Sequence, residues 1–215
     1  MKIELKNVTK KINGKNVLSN ISATFEGACI YGLNGKNGCG KTMLLRMIGG
    51  LIIPTSGEIV LDGELMGKEI SFPKSVGALI EAPAFLNDVT GFKNLQLLAS
   101  LQNKIDDKRI KEAIEEVGLN PNDKRTYKKY SLGMKQRLGI ACAIMERPDL
   151  ILLDEPINAI DISGVALIRK VLNRYKEEGA LIILACHDKE ELYALSDKIV
   201  EMEEGRICQI KNVVK

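Results

Sequence analysis

No apolar run in the chain is long enough to cross a membrane. The longest, "ALIILAC" at residues 180–186, falls far short of the ~20 residues a spanning helix needs. The opening "MKIELKNVTK" alternates like a strand and lacks the apolar block of a secretory signal. A formal charge of +3 over 215 residues is too small to argue for nucleic acid. One local basic run, Lys124, Arg125, Lys128, Lys129, Lys135 and Arg137, reads as a solvated face. Cysteines 29, 39, 142, 186 and 208 are odd in number, scattered and without metal spacing. They read as small reduced core residues, which places the protein in the cytoplasm. Neither repeats nor low-complexity linkers interrupt the sequence.

What is present alternates between two codes. The first 30 or so residues are strand-like, with Ile3 and Leu5, then Val17 to Phe25, then Ile30, and "NG" at Asn13-Gly14 signals a hairpin turn. A helix is expected from about Lys41 to Gly49, a turn at "PTSG", and a strand over 76–80 that ends at Glu81. From about Phe85 to Arg147 the pattern is helical: Leu95, Leu98 and Leu101 on one face, Ile110, Ile114 and Val117 on another, and Leu138, Ala141, Cys142 and Met145 on a third. Alternation then returns as strand 150–153, helix 162–177, strand 180–185, helix 188–195 and two short strands around Gly205. Strands alternating with helices imply an α/β fold, a parallel sheet covered on both faces. A single domain over 1–215 is expected, with a core of 1–83 and 148–215 and helices inserted at 84–147.

Three stretches carry chemistry. "GKNGCGKT" (35–42) fits G-x-x-x-x-G-K-[ST] between a strand and a helix. Glycine costs backbone entropy, so three of them in one loop call for a compensating turn or ligand. Here they allow backbone N–H groups from roughly Asn37 to Met43 to converge on a phosphate, with the helix dipole behind them. Lys41 would reach the β- and γ-phosphates of a nucleotide and Thr42 would hold Mg²⁺. "LILLDEP" (150–156) is an apolar strand ending in Asp154 and Glu155, at the carboxyl edge where parallel sheets bind ligands. Asp154 suits Mg²⁺, and Glu155 suits a general base that orients water. In "YSLGMKQRLGIACAIMERP" (130–148), Ser131 precedes a helix with Gly133 in its first turn, a second anion site or a plain capped helix.

That last segment resembles the signature of ABC-type ATPases, and "MKQRLGIA" is very like their transporter subunits. The resemblance covers essentially the whole chain, with "NAID" (158–161) and His187 also in the family's order. It implies a P-loop NTPase ABC-type ATP-binding domain: a RecA-like parallel-sheet core, an N-terminal antiparallel β-subdomain and an inserted helical subdomain. The nucleotide site would take in Asn34, Gly35, Lys36, Asn37, Gly38, Cys39, Gly40, Lys41, Thr42 and Met43. Two such domains would stack head to tail, so that Ser131 and the Gly133 backbone grip ATP held by the loop of the other copy. His187 would hold the γ-phosphate and position Glu155, and Asp161 would bridge the subunits, or simply cap the helix that follows it. ATP-driven closure would be passed to a separate membrane permease. The protein would thus sit on the inner face of the membrane as a homodimer in its ATP state, with no nucleic acid partner.

Three positions depart from the family pattern. Ile12 stands where an aromatic usually stacks on adenine, leaving Ile12 and Val17 as aliphatic substitutes. Glu81 replaces the usual glutamine as a ligand to Mg²⁺ and water. The signature reads S-L-G where S-G-G is commoner, and Leu132 can face the core if only the Gly133 amide must approach phosphate. "LIE" together with "YSLGMKQRLGIA" is similar to the bacitracin-resistance and lantibiotic-immunity exporters. Rival readings are weaker. "DVTG" (88–91) and "NKID" (103–106) match GTPase motifs but lie in the helical region, too close together. An ABC ATPase acting on nucleic acid or the ribosome would typically carry coiled-coil insertions or two ATPase domains. A non-enzymatic binding module would not need Lys41, Asp154, Glu155 and His187 intact.

Overall fold

The computed structural model describes residues 1–214. Its strands are β1 (Lys2–Ile12), β2 (Lys15–Glu26), β3 (Ile30–Asn34), β4 (Ser56–Leu61), β5 (Glu64–Leu65), β6 (Val76–Leu79), β7 (Leu150–Asp154), β8 (Leu181–Ala185), β9 (Lys198–Glu203) and β10 (Arg206–Asn212). Its α-helices are α1 (Lys41–Ile48), α2 (Gly91–Ala99), α3 (Asp107–Glu116), α4 (Leu132–Ile144), α5 (Ile162–Glu177) and α6 (Lys189–Leu195). The sequence boundaries hold to within a residue or two for α1, β7, α5, β8 and α6.

Two sheets result from the two codes. Strands β1 and β2 pair antiparallel across a turn in which Asn13 and Gly14 both have positive φ, as a two-residue hairpin requires. With β4 and β5 they form one sheet in the order β2-β1-β4-β5. The second sheet runs β10-β9-β3-β8-β7-β6, parallel from β9 to β6 and closed by an antiparallel β10.

Every residue of β3, β7 and β8 is buried, because both faces of the parallel sheet are covered. Side chains alternate between those faces. Leu150, Leu152, Leu181 and Ile183 pack with α1 and the antiparallel sheet, while Ile151, Leu153, Ile182 and Leu184 pack toward α4, α5 and α6. Each such side chain contributes about 1.5–3 kcal/mol on burial. Helix α1, with the loop before it, is thus wedged between two sheets and cannot drift.

Helices α2, α3 and α4 lie between β6 and β7, and α4 packs on β6, β7 and α3. The leucine stripe expected on α2 needs correction: Leu95 is buried, but Leu98 and Leu101 are 39% and 78% exposed. Leu95 and Ala99, one turn apart, make the buried face, and Leu101 falls beyond the helix end. Leu132 is likewise 65% exposed rather than core-facing, since the buried face of α4 begins at Gln136. Among the cysteines, all free, Cys208 is exposed on β10, contrary to its reading as a core residue.

A buried polar cluster ties the helices to the core. Arg109 Nε donates to the Met145 carbonyl (2.9 Å), and its Nη1 donates to Glu116 (2.7 Å). The guanidinium also bonds the Tyr175 hydroxyl, which in turn meets the Ile144 carbonyl at 3.1 Å. One cation therefore closes the carboxyl end of α4 and joins α3 to α5. Burial pushes the Tyr175 phenol up to about 12. Burial alone would raise the Glu116 carboxyl too, but Arg109, Tyr175 and Arg174 together hold it below the ordinary range.

Candidate nucleotide-binding site

Four helices begin with a side chain closing their amide end: Thr90, Asp106, Ser131 and Asp188 each accept a hydrogen bond from the N–H three residues on. Helix α1 does not. Its N-cap is Gly40, with φ of 107° and no side chain to offer. A Cβ there would also press on Leu18 Cδ2 at 2.7 Å and the Val17 carbonyl at 3.1 Å, so the β1–β2 hairpin abuts this loop. The uncapped amides of α1 and its positive dipole end remain available to an anion.

Lys41 is buried, 8% exposed. Its ammonium donates to the carbonyls of Gly35 (2.6 Å) and Lys36 (3.3 Å), which hold it over the loop. Beside it the Thr42 hydroxyl donates to Asp154 Oδ2 at 2.7 Å, joining the start of α1 to the end of β7. Burial raises the Asp154 pKa, and the charges of Glu155 and Glu81 add to the rise, against the pull of Thr42 and Lys41. A hard divalent cation suits such a site: oxygen donors already converging, and a carboxylate whose charge the surroundings leave poorly compensated. Thr42 and Asp154 fit Mg²⁺ on that chemistry.

The next residue turns out of the strand. Glu155 has φ of 50°, in the left-handed region that costs a non-glycine residue strain. Two bonds pin it there: its N–H donates to the Ala185 carbonyl (2.8 Å), and its own carbonyl accepts from Gln136 Nε2 (2.8 Å). Its carboxylate meets His187 twice, at Nδ1 (2.7 Å) and at the backbone N–H (3.2 Å). Strands β3, β8 and β7 are neighbours, so the loop, His187, Asp154 and Glu155 all gather at one carboxyl edge.

Glu81 follows β6 with φ of 66° and forms an ion pair with Arg46 of α1. Its charge reaches Asp154, but its carboxylate is occupied by Arg46. Ile12 is 39% exposed at the end of β1, and Val17 is half-buried. A cleft of about 710 Å³ runs beside the loop, lined by Asn34–Cys39, His187, Lys189, Glu201–Glu204 and Cys208. That lining includes the first half of the loop and His187 but not Lys41, Thr42, Asp154, Glu155, Ser131, Gly133 or Asp161. Ser131 is exposed and accepts from Met134 N–H (3.2 Å). Gly133 has an additional reason to lack a side chain: a Cβ would lie 2.6 Å from the Ala159 carbonyl. Asp161 occupies the N-cap position of α5 but caps nothing; its carboxylate takes Ser163 and Arg137 instead.

Residues 18–158 match the ABC transporter family model. The chain belongs to the ABC transporter ATP-binding family. It is 49% identical over 212 residues to YybJ, an ABC transporter ATP-binding protein of Bacillus subtilis, covering 99% of this chain and 97% of that one. The bacitracin transport ATP-binding protein BcrA of Enterococcus faecalis is 39% identical, over 98% of this chain and 69% of BcrA. The lantibiotic transport ATP-binding protein SrtF of Streptococcus pyogenes is 31% identical, over 95% and 88%. The fold also matches a dimeric ATP-binding cassette bound to ADP and phosphate, with TM-score 0.86 at 22% identity over 99% of each chain.

Within the ABC frame, three contacts went unassigned on sequence grounds. Gln136 and Arg137 stand inside the quoted "MKQRLGIA", yet only the structure shows the first holding Glu155 and the second holding Asp161. Arg46 carries no local signal beyond a charge on a buried helix. Cys186, between β8 and His187, also gains meaning from its neighbours; burial pushes its thiol up to about 11.

Proposed function

We propose that this chain is the ATP-hydrolysing subunit of a peptide-antibiotic exporter, working as a pair with a membrane permease. The observation that carries the hydrolytic reading is a pair of contacts at one sheet edge: Thr42 to Asp154 at 2.7 Å and Glu155 to His187 at 2.7 Å. The amides of α1 and Lys41 bind the β- and γ-phosphates. Thr42 and Asp154 hold Mg²⁺, which when bound neutralises phosphate charge. Glu155 orients the attacking water and takes its proton, and His187 fixes the carboxylate through Nδ1 while its other ring nitrogen serves the γ-phosphate. Ile12 and Val17 give the base an aliphatic contact.

A second copy supplies the other half of the site. Apolar side chains left in solvent flank Ser131 and Asp161: Leu132 beside the first and Ile162, 91% exposed, beside the second. Burying them against a partner while Ser131 and the Gly133 amide meet the γ-phosphate favours closure. Hydrolysis removes that contact and releases the pair, a population shift driven by differential contacts. No helix among the described residues is long and apolar enough to cross a membrane, so the span belongs to a partner. Exposed Leu51, Phe72, Leu86 and Leu101 offer apolar surface for that partner. Export of peptide antibiotics rests on the likeness to BcrA and SrtF.

The Arg46 ion pair explains how a carboxylate is tolerated at residue 81, since it offsets charge that would otherwise face phosphate. Glu81→Gln is expected to leave the maximal hydrolysis rate intact while raising the Mg²⁺ concentration needed for half-maximal rate, because it removes a negative charge that reaches Asp154. Rates measured against free Mg²⁺ test this; superimposable curves for the two forms contradict it.

A further inference from the structure

At the same sheet edge lies a donor set of a different chemical kind. Cys186 Sγ, a carboxylate oxygen of Glu155 and a ring nitrogen of His187 all lie within 4.8 Å of one another. The topology creates this closeness. In the β7–β8 register Asp154 pairs with Ala185, so Glu155 and Cys186 leave their strands side by side and His187 comes next. Glu155 is pinned through both backbone polar groups, and Cys186 follows directly on the end of β8.

Thiolate, imidazole and carboxylate together do not suit Mg²⁺, which takes hard oxygen ligands and demands octahedral geometry. They suit Zn²⁺: three protein ligands in a tetrahedron with one open position. Zinc–ligand lengths of about 2.0–2.3 Å put donors roughly 3.5 Å apart, so the widest pair need close by only about 1 Å. We propose that Glu155, Cys186 and His187 form an inhibitory Zn²⁺ site, distinct from the Thr42–Asp154 pair. Zinc displaces the Cys186 proton to solvent and takes the Glu155 carboxylate, so that water is no longer activated. The inhibition rests on Glu155 being the base; the binding does not.

Two readouts keep these apart. Co²⁺ added to the ATP-free protein stands in for Zn²⁺ and gives a thiolate-to-cobalt charge-transfer band. The band is expected in the native protein and in Cys208→Ser, which removes the exposed thiol, and is lost in Cys186→Ser and Cys186→Ala. No band in the native protein, or a band that survives both Cys186 substitutions, overturns the site. Turnover is then measured with saturating Mg²⁺-ATP against buffered free Zn²⁺. Cys186→Ser is expected to turn over at the native rate without zinc and to need at least about tenfold more Zn²⁺ for half-inhibition, given the loss of one of three protein ligands. Equal sensitivity of the two forms overturns the inhibitory assignment. A Cys186-dependent band with turnover indifferent to Zn²⁺ also overturns it, and the Glu155→Gln rate then shows whether the base assignment falls as well.

Discussion

Glu155→Gln is expected to lower ATP turnover by about 10²–10⁴-fold, the contribution of a positioned general base, while ATP still binds. The substitution keeps the size and shape of the side chain. The Glu155 backbone bonds to Ala185 and Gln136 do not involve the side chain, so the strained turn at φ 50° persists. The capacity to take a proton from water is lost, together with the negative charge beside Asp154 and His187. The amides of α1, Lys41, Thr42 and Asp154 are untouched, and the nucleotide is therefore held but not cleaved. On the proposed head-to-tail arrangement, in which Ser131 and Gly133 of a second copy grip the γ-phosphate, the uncleaved complex is expected to accumulate as a pair. Steady-state phosphate release measures the first effect and nucleotide titration the second. A turnover within tenfold of the native protein contradicts the role given to Glu155.

The largest effect on stability is expected at Arg109. Its side chain is 10% exposed and that of its partner Glu116 is 14% exposed, so solvent screens the pair little. Arg109→Met leaves the Glu116 carboxylate, the Met145 carbonyl and the Tyr175 hydroxyl without the donor they now share. Removing one member of a buried pair costs about 3–5 kcal/mol where the other charge is left uncompensated; here Arg174, 2.6 Å from the Glu116 carboxylate, still offsets part of that charge. In a chain of this size each kcal/mol shifts Tm by about 2–4 °C, so a fall of about 6–20 °C is expected. Adding Glu116→Leu to Arg109→Met should recover part of the loss, since it removes the carboxylate that Arg109 no longer compensates. A midpoint within 2 °C of native for Arg109→Met, read by circular dichroism, contradicts this view of the cluster.

What could be read from sequence was local. The phosphate loop declares itself because glycine spacing, a lysine and a hydroxyl must follow one another between a strand and a helix. Asp154 and Glu155 declare themselves because charge after a fully apolar strand marks a sheet edge. The helical middle showed its period, yet the identity of the buried face failed at Leu98, Leu101 and Leu132. Periodicity gives a spacing, and tertiary packing decides which side of it meets the core. The pairings of Arg109 with Tyr175, Gln136 with Glu155 and Arg46 with Glu81 span 66, 19 and 35 residues. Nothing near either partner encodes such contacts, which arise only when the sheet order brings distant segments together. Asp161 shows the same limit: its position predicts a cap, and Arg137, supplied by α4, draws the carboxylate elsewhere.

Head-to-tail clasping of ATP by two copies is tested most directly by sedimentation of Glu155→Gln protein with saturating Mg²⁺-ATP, with and without a second change, Ser131→Arg. Ser131 lies exposed at the start of α4, where its hydroxyl bonds the Met134 N–H of its own helix, so an arginine there is expected to leave nucleotide binding to the loop intact. It blocks the approach of a partner and costs the helix about 1 kcal/mol of capping. The expected result is a dimer for Glu155→Gln and a monomer carrying bound ATP for the double variant. A dimer that forms equally well in both would contradict the shared clasp.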